Sequence, residues 1–285
     1  MSVVIGIDIG GSSTKIVGFS KTESGWNLIE PQIIKANDPI TATYGAFGKF
    51  TDENNLGISD ISKVMMTGVG ASHVKHNLYG LECVRVAEFD SIGRGGTYIS
   101  GLSDALVVSM GTGTAIVHAR KDGSMQYLGG TGVGGGTLVG LSKLLLNAET
   151  MSHIEKLSDG GCLDNIDLRI KDMTATDSLT RLEGDLTAAN FGKLSDLATK
   201  DDIALGIMNL VFETVGMVSI FAARSVGAKD IILTGNVTRL AHCRRKFDEF
   251  NHLEIGRGLN FVIPERARFS TAIGAAMIGM QWGDK

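Results

Sequence analysis

Twice in this chain an apolar run meets a short turn of glycine, serine or threonine and then resumes. The first instance is Val3–Ser20, "VVIGIDIGGSSTKIVGFS", and the second is Ala105–Arg120, "ALVVSMGTGTAIVHAR". Such a pattern predicts an antiparallel hairpin. Its recurrence predicts two halves of similar design, with the division expected at residues 1–104 and 105–285. Further strands are expected at Trp26–Ile34, Val64–Gly68, Glu82–Ala87, Met125–Leu128, Ile231–Leu233 and Phe261–Ile263. Helical spacing marks Pro39–Asn54, the start after "GGTGVGGG", Ile203–Val226, Val237–Phe250 and the closing small-residue "FSTAIGAAMIGMQW". Strands alternating with helices make an α/β protein. Asp159–Glu183 is polar and weakly periodic, and reads as an irregular surface insertion.

Composition narrows the function. A net charge of −4 with scattered lysines and arginines leaves no footprint for nucleic acid. Three cysteines, Cys83, Cys162 and Cys243, show no metal spacing, and read as core thiols in a reducing compartment. The first strand begins at Val3, leaving no room for a leader, and no uninterrupted apolar run reaches the roughly 18 residues of a membrane span. A cytoplasmic protein is therefore expected. Glycine is abundant, 38 residues against three prolines, and clusters beside apolar strands. That placement suits close approach of backbone to a ligand or to another backbone.

The turns carry the chemistry. Amides of Gly10 and Gly11 and hydroxyls of Ser12, Ser13 and Thr14 can converge on an anion, with Lys15 beside them. A carboxylate there, Asp8, would repel phosphate unless a cation lay between, so Asp8 is a candidate magnesium ligand. The bland alternative is a type I′ hairpin with polar neighbours. The second turn offers Thr112 and Thr114, and "GVGGGTLVGL" runs glycine into a helix start, where amides and dipole favour anions. Two turns facing across a cleft would clamp a nucleotide. Neither a Walker A loop nor a Rossmann fingerprint is present.

"DIGGSSTK", "SMGTGT" and "ILTGN" resemble, in order, the two phosphate motifs and the adenosine motif of the actin-like ATPase superfamily. Within it the chain looks most like the type II pantothenate kinases, through "AEFDS" (Ala87–Ser91), "GGTGVGGGTLVGL" (Gly129–Leu141), "GDLTAANFG" (Gly184–Gly192) and "FSTAIGA" (Phe269–Ala275). The resemblance implies two actin-like, ribonuclease H-like subdomains with the nucleotide cleft between them. It also implies ATP and Mg²⁺ as cofactors, a homodimer, and phosphorylation of the primary hydroxyl of pantothenate, the first step of coenzyme A synthesis. It makes Glu88 the general base, where the residue type alone also allows a helix-start acid favoured by the dipole. It assigns nucleotide contacts to Thr112, to Gly135, Gly136, Thr137, Leu138 and Val139, and to Asn236. One position departs: where the family commonly carries an arginine before the glycine loop, this chain has Tyr127. Arg94 and Arg120 are possible substitutes, each with solvated surface as its plainer role. The departure keeps a kinase of another small alcohol or acid open, and an actin-like nucleotide-binding regulator is the third alternative. "GDLTAANFG" has no role derivable from its residues beyond a helix cap through Thr187.

Overall fold

The computed structural model describes residues 2–35, 38–174, 178, 179 and 182–281. β1 (Val3–Ile9) is buried along its whole length. Its alternation divides it: Val3, Ile5, Ile7 and Ile9 join a core with Phe47 and Phe50, while Val4 joins Ala272 and Ala276 on the other face. β1, β2 (Thr14–Thr22) and β3 (Gly25–Ile34) form an antiparallel meander. α1 (Pro39–Glu53), started by the Asp38 carboxylate accepting from the Thr41 N–H, carries the chain back to β4 (Ile61–Thr67). β4 lies parallel to β1, and β5 (Cys83–Arg85) parallel to β4, giving the order β3-β2-β1-β4-β5.

α2 (Glu88–Ser100) leads into the same plan again. β6 (Ala105–Met110), β7 (Thr114–Ala119) and β8 (Met125–Thr131) make a second antiparallel meander. α3 (Gly135–Leu146) and α4 (Met151–Ser158) follow. The polar stretch expected to be irregular holds small elements: β9 (Leu168–Arg169), α5 (Ile170–Met173), β10 (Ser178–Leu179) and β11 (Leu182–Glu183), then β12 (Thr187–Ala189), which pairs with β9. α6 (Lys200–Val226) precedes β13 (Asp230–Thr234), α7 (Ala241–His252), β14 (Asn260–Val262) and α8 (Ser270–Gln281). β13 is parallel to both β6 and β14, so the order β8-β7-β6-β13-β14 repeats that of the first sheet.

Two glycines make the repeat physical. Gly68 and Gly235 follow the first parallel strand of each half, at φ +88° and +95°. In that region a side chain is strained. A Cβ at Gly68 would lie 2.6 Å from the Ile9 carbonyl oxygen, and one at Gly235 would run into that of Met110. Each glycine lets the chain pass against the hairpin turn of its own half.

The helices cross between the halves. α2 sends Ile92 into a core with Ala105, Val107 and Val117, whereas α8 packs on the first sheet. The two helices meet backbone to backbone: a Cβ at Gly95 would strike the Ser270 carbonyl, and one at Gly274 that of Ser91. This contact explains the small residues of the closing helix.

α6 needs a correction to the apolar-run reading. It has no unbroken apolar run, yet an 18-residue window reaches a mean hydropathy of 1.8, long and apolar enough by composition to cross a membrane. Core helices meet the same criterion, and 67% of that window is buried inside the protein. Ile207, Met208, Val211, Phe212 and Val215 belong to the main core of the second half.

Candidate active site

The two hairpin turns face one another at a cavity of about 430 Å³. A methyl group added at Gly11 would stand 3.4 Å from the Thr112 hydroxyl. The first turn is no type I′ hairpin, because none of residues 10–13 has positive φ. Instead Gly10 N–H donates to the Ser13 carbonyl (3.1 Å) across a four-residue loop.

Asp8 and Lys15 are opposite residues on β1 and β2. Lys15 Nζ donates to Asp8 Oδ2 at 2.9 Å, and both side chains are only about a tenth exposed. The cation that the sequence argument required beside Asp8 is therefore supplied, at one oxygen, by the protein itself. Asp8 Oδ1 faces Gly68, where a Cβ would come within 2.7 Å of it.

Glu88 stands on the cavity wall as the first residue of α2. It accepts no hydrogen bond from the described residues. Burial, and in smaller measure the Asp8 carboxylate, push its carboxyl above the ordinary value, while Lys15 pulls the other way. A half-buried, unpaired carboxylate opening on a cleft is suited to taking a proton.

The cavity brings together Asp8, Gly10, Gly11, Ser12, Lys15, Glu88, Thr112 and Asn236 among the expected residues. Ser13 and Thr14 are buried behind the turn and do not line it. Residues 135–139 stand behind Thr112 and do not line it either. Gly135 N–H donates to the Gly111 carbonyl (2.9 Å) and Gly136 N–H to that of Thr112 (2.8 Å). These amides, expected to be open to an anion, instead fasten the second turn to α3. Thr137 Oγ1 donates to Gly132 O (2.9 Å), Leu138 is fully buried in the core, and Val139 packs against that core.

Sequence reasoning missed Arg268, which lines the same cavity and donates from Nε to Asn236 Oδ1 at 3.1 Å. It lies one residue before the quoted "FSTAIGA", and nothing in its local sequence separates it from a surface arginine. Arg94 and Arg120 do not serve there: Arg94 donates to Gln281 Oε1 (3.2 Å), and Arg120 is tied to Gln126. Tyr127 is half exposed outside the cavity lining and stacks on Phe89.

"GDLTAANFG" acquires a structural role. Phe191 N–H donates to Asp167 Oδ1 (2.8 Å), and Asn190 Nδ2 to Glu213 Oε2 (3.2 Å). Asn209 Nδ2 donates to Asp167 Oδ2 (2.8 Å) and is 3.2 Å from Thr187 Oγ1. Thr187 thus sits in β12 against α6 and caps no helix, and the segment docks on α6 through buried polar groups. Asp185 faces outward to Arg169 and Lys171.

Two like-ordered five-stranded sheets, with a cleft closed by both hairpins, define an actin-like fold. Solved structures share it. The activator of 2-hydroxyisocaproyl-CoA dehydratase from Clostridium difficile, with bound ADPNP, aligns over 99% of this chain and 96% of its own at a TM-score of 0.69 and 17% identity. A ROK family glucokinase from Streptomyces griseus, in complex with glucose and AMPPNP, aligns over 98% and 99% at 0.60 and 13%. At such identities the likeness is one of fold alone. Sequence goes further. The model of the Fumble family matches residues 102–247. A type II pantothenate kinase from Bacillus cereus (strain ATCC 10987) is 30% identical over 253 residues, 83% of each chain. Another, from Bacillus cereus (strain ATCC 14579), is 29% identical over 269 residues, 88% of this chain and 92% of its own. The chain belongs to the Fumble family, that of the type II pantothenate kinases.

Proposed function

We propose that this protein transfers the terminal phosphoryl group of ATP to the primary hydroxyl of pantothenate, the step that opens coenzyme A synthesis. The family membership supports the substrate, and the observation that carries the chemistry is Glu88, unpaired on the wall of the cavity that holds both hairpin turns. The turns at Gly10–Ser12 and Thr112 take the phosphates, with the Lys15 charge beside them, while Arg268 stands against Asn236. Asn236 contacts the adenosine side. Residues 135–139 act one layer back, by holding the second turn in place. Glu88 accepts the hydroxyl proton as the new phosphorus–oxygen bond forms, which converts a poor nucleophile into a competent one.

A magnesium ion fits the donor set. No cluster of three or more metal-ligating side chains exists among the described residues, and Mg²⁺ with a nucleotide asks for only one or two carboxylates plus phosphates and water. Asp8 Oδ1 is the oxygen left for it, directly or through water, and the ion when bound neutralises charge on the phosphates. A cytoplasmic homodimer completes the reading.

ATP consumption measured with and without pantothenate tests the proposal: turnover that does not depend on pantothenate overturns it. Tyr127 favours one second reading, a kinase of another small alcohol or acid, because no arginine stands at the family's usual position. A panel of hydroxy acids and pantothenate analogues, assayed the same way, separates the two.

A further inference from the structure

A second cavity, of about 560 Å³, lies beside the first and is rimmed by Arg239, Arg244, Arg266 and Arg268. Arg268 lines both cavities, so the two share a wall. Among the described residues two acids line the new one, Glu30 and Glu265, and Glu30 is engaged with Arg266 at 3.4 Å. Arg239, Arg244 and Arg268 have no ion pair among the described residues. Arg239 and Arg268 are half-buried, and burial, with the charge of Arg239 in smaller measure, lowers the affinity of Arg268 for its proton. Guanidiniums gathered this way repel one another unless an anion joins them, and their planar forks match phosphate oxygens in pairs. Four arginines against two glutamates leave a surplus of two positive charges, close to the −1.5 to −2 carried by a phosphate monoester near neutral pH. The cavity is larger than phosphate alone requires, and Pro264, Ala267 and Phe269 supply an apolar wall.

We propose that this arginine-rimmed cavity is a second binding site, separate from the nucleotide's, for a small organic phosphate monoester whose body packs on Pro264 and Phe269. The site spans the two halves of the fold. Glu30 belongs to β3 of the first sheet, Arg239 and Arg244 to the second half, and Arg266 and Arg268 to the segment entering α8. A ligand seated there therefore ties the halves together beside the nucleotide. This inference does not depend on pantothenate being the acceptor.

Calorimetry with phenyl phosphate, on the full chain saturated with a non-hydrolysable ATP analogue, tests it. The expected result is one equivalent bound with the analogue in place. Arg244→Gln, an exposed substitution outside the nucleotide cavity, should weaken it at least about tenfold, the size of a lost charge-assisted hydrogen bond. Glu265→Gln should tighten it, a direction that misfolding cannot produce. No binding at millimolar concentration overturns the proposal. So does binding abolished by the analogue, which would give the arginines to the nucleotide, or binding unmoved by Arg244→Gln. The same titration with the phosphorylated product of the enzyme and with unrelated sugar phosphates separates feedback by product from recognition of another metabolite.

Discussion

The ring of Tyr127 lies flat on Phe89, centroids 3.9 Å apart and planes 9° from parallel. Phe89 follows Glu88 in the first turn of α2, so Tyr127, where the family resemblance leads one to expect an arginine, is spent on bracing the element that carries the candidate base. A stacked pair of this kind contributes about 0.5–1.5 kcal/mol beyond its buried area. Tyr127→Phe keeps the stack and should leave kcat unchanged. Tyr127→Arg can still lie on Phe89 while adding a fork of donors. It should raise kcat/KM for pantothenate by roughly tenfold or more, the worth of a charge-assisted hydrogen bond at ~1.4 kcal/mol per decade. Steady-state kinetics on the three proteins decides, and no gain with arginine would mean that the acceptor makes no contact there.

Glu88→Gln should lower kcat by roughly 10²–10⁴-fold with nucleotide binding near normal. A variant keeping a third of the activity would remove Glu88 from the chemistry. The pH dependence follows from the direction of its shift. Only the ionised carboxylate accepts a proton, so the wild-type rate should climb with pH through a value above the ordinary 4.5. That acid limb should be absent in Glu88→Gln.

The same shift makes a stability prediction. The folded carboxyl holds its proton more tightly than the unfolded one, so Glu88 contributes nothing below its unfolded value. Its destabilising contribution grows as pH rises from the unfolded value to the folded one and is complete above the folded value. Glu88→Gln should therefore be at least as stable as wild type at pH 7, the advantage fading below about pH 4. Urea melts at the two pH values measure it.

Asp8→Asn should raise the Mg²⁺ concentration needed for half-maximal rate, since a magnesium ion held with a nucleotide relies on only one or two protein carboxylates. Gly68→Ala should reproduce part of this from a distance, because its methyl group would crowd Asp8 Oδ1 and its φ of +88° disfavours a side chain. An unchanged magnesium dependence in Asp8→Asn would reduce Asp8 to a partner of Lys15 within the hairpin.

Asn209→Ala strips Asp167 of one of its partners, leaving Phe191 and Asn190, while Asp167 stays fully buried. An unsatisfied buried acceptor costs about 1–3 kcal/mol, so the midpoint of urea denaturation should fall accordingly. Loss of stability without loss of KM for ATP would mark the "GDLTAANFG" dock as scaffold.

A homodimer requires apolar surface left over by one protomer. α6, the longest apolar helix, is mostly core, with Phe221 as its large exposed apolar residue; Leu144 and Leu145 of α3 are exposed as well. Sedimentation at micromolar concentration should give twice the 30.2 kDa of one chain. A species at the single mass would overturn the dimer.

The sequence by itself determined the strands and most helices, the repeated hairpins, and the pairing of Asp8 with small residues. These rest on period-two alternation and on turn residues, which act over a few neighbours. It also singled out, through motifs that could be matched without coordinates, Glu88 and Thr112, which both line the cavity. Tertiary structure alone decided which groups are free to act. The amides of Gly135 and Gly136 looked open at a helix start and are occupied by Gly111 and Thr112. Asp8 looked unpartnered and is held by Lys15. Arg268 went unremarked in the sequence and stands in the cavity, whereas Arg94 and Arg120 turn elsewhere. The role of "GDLTAANFG" awaited α6, whose Asn209 and Glu213 receive it. In each case the deciding partner is remote in sequence or in another element. A residue's hydrogen-bonding capacity is local, but whether that capacity is already spent depends on what the fold brings against it.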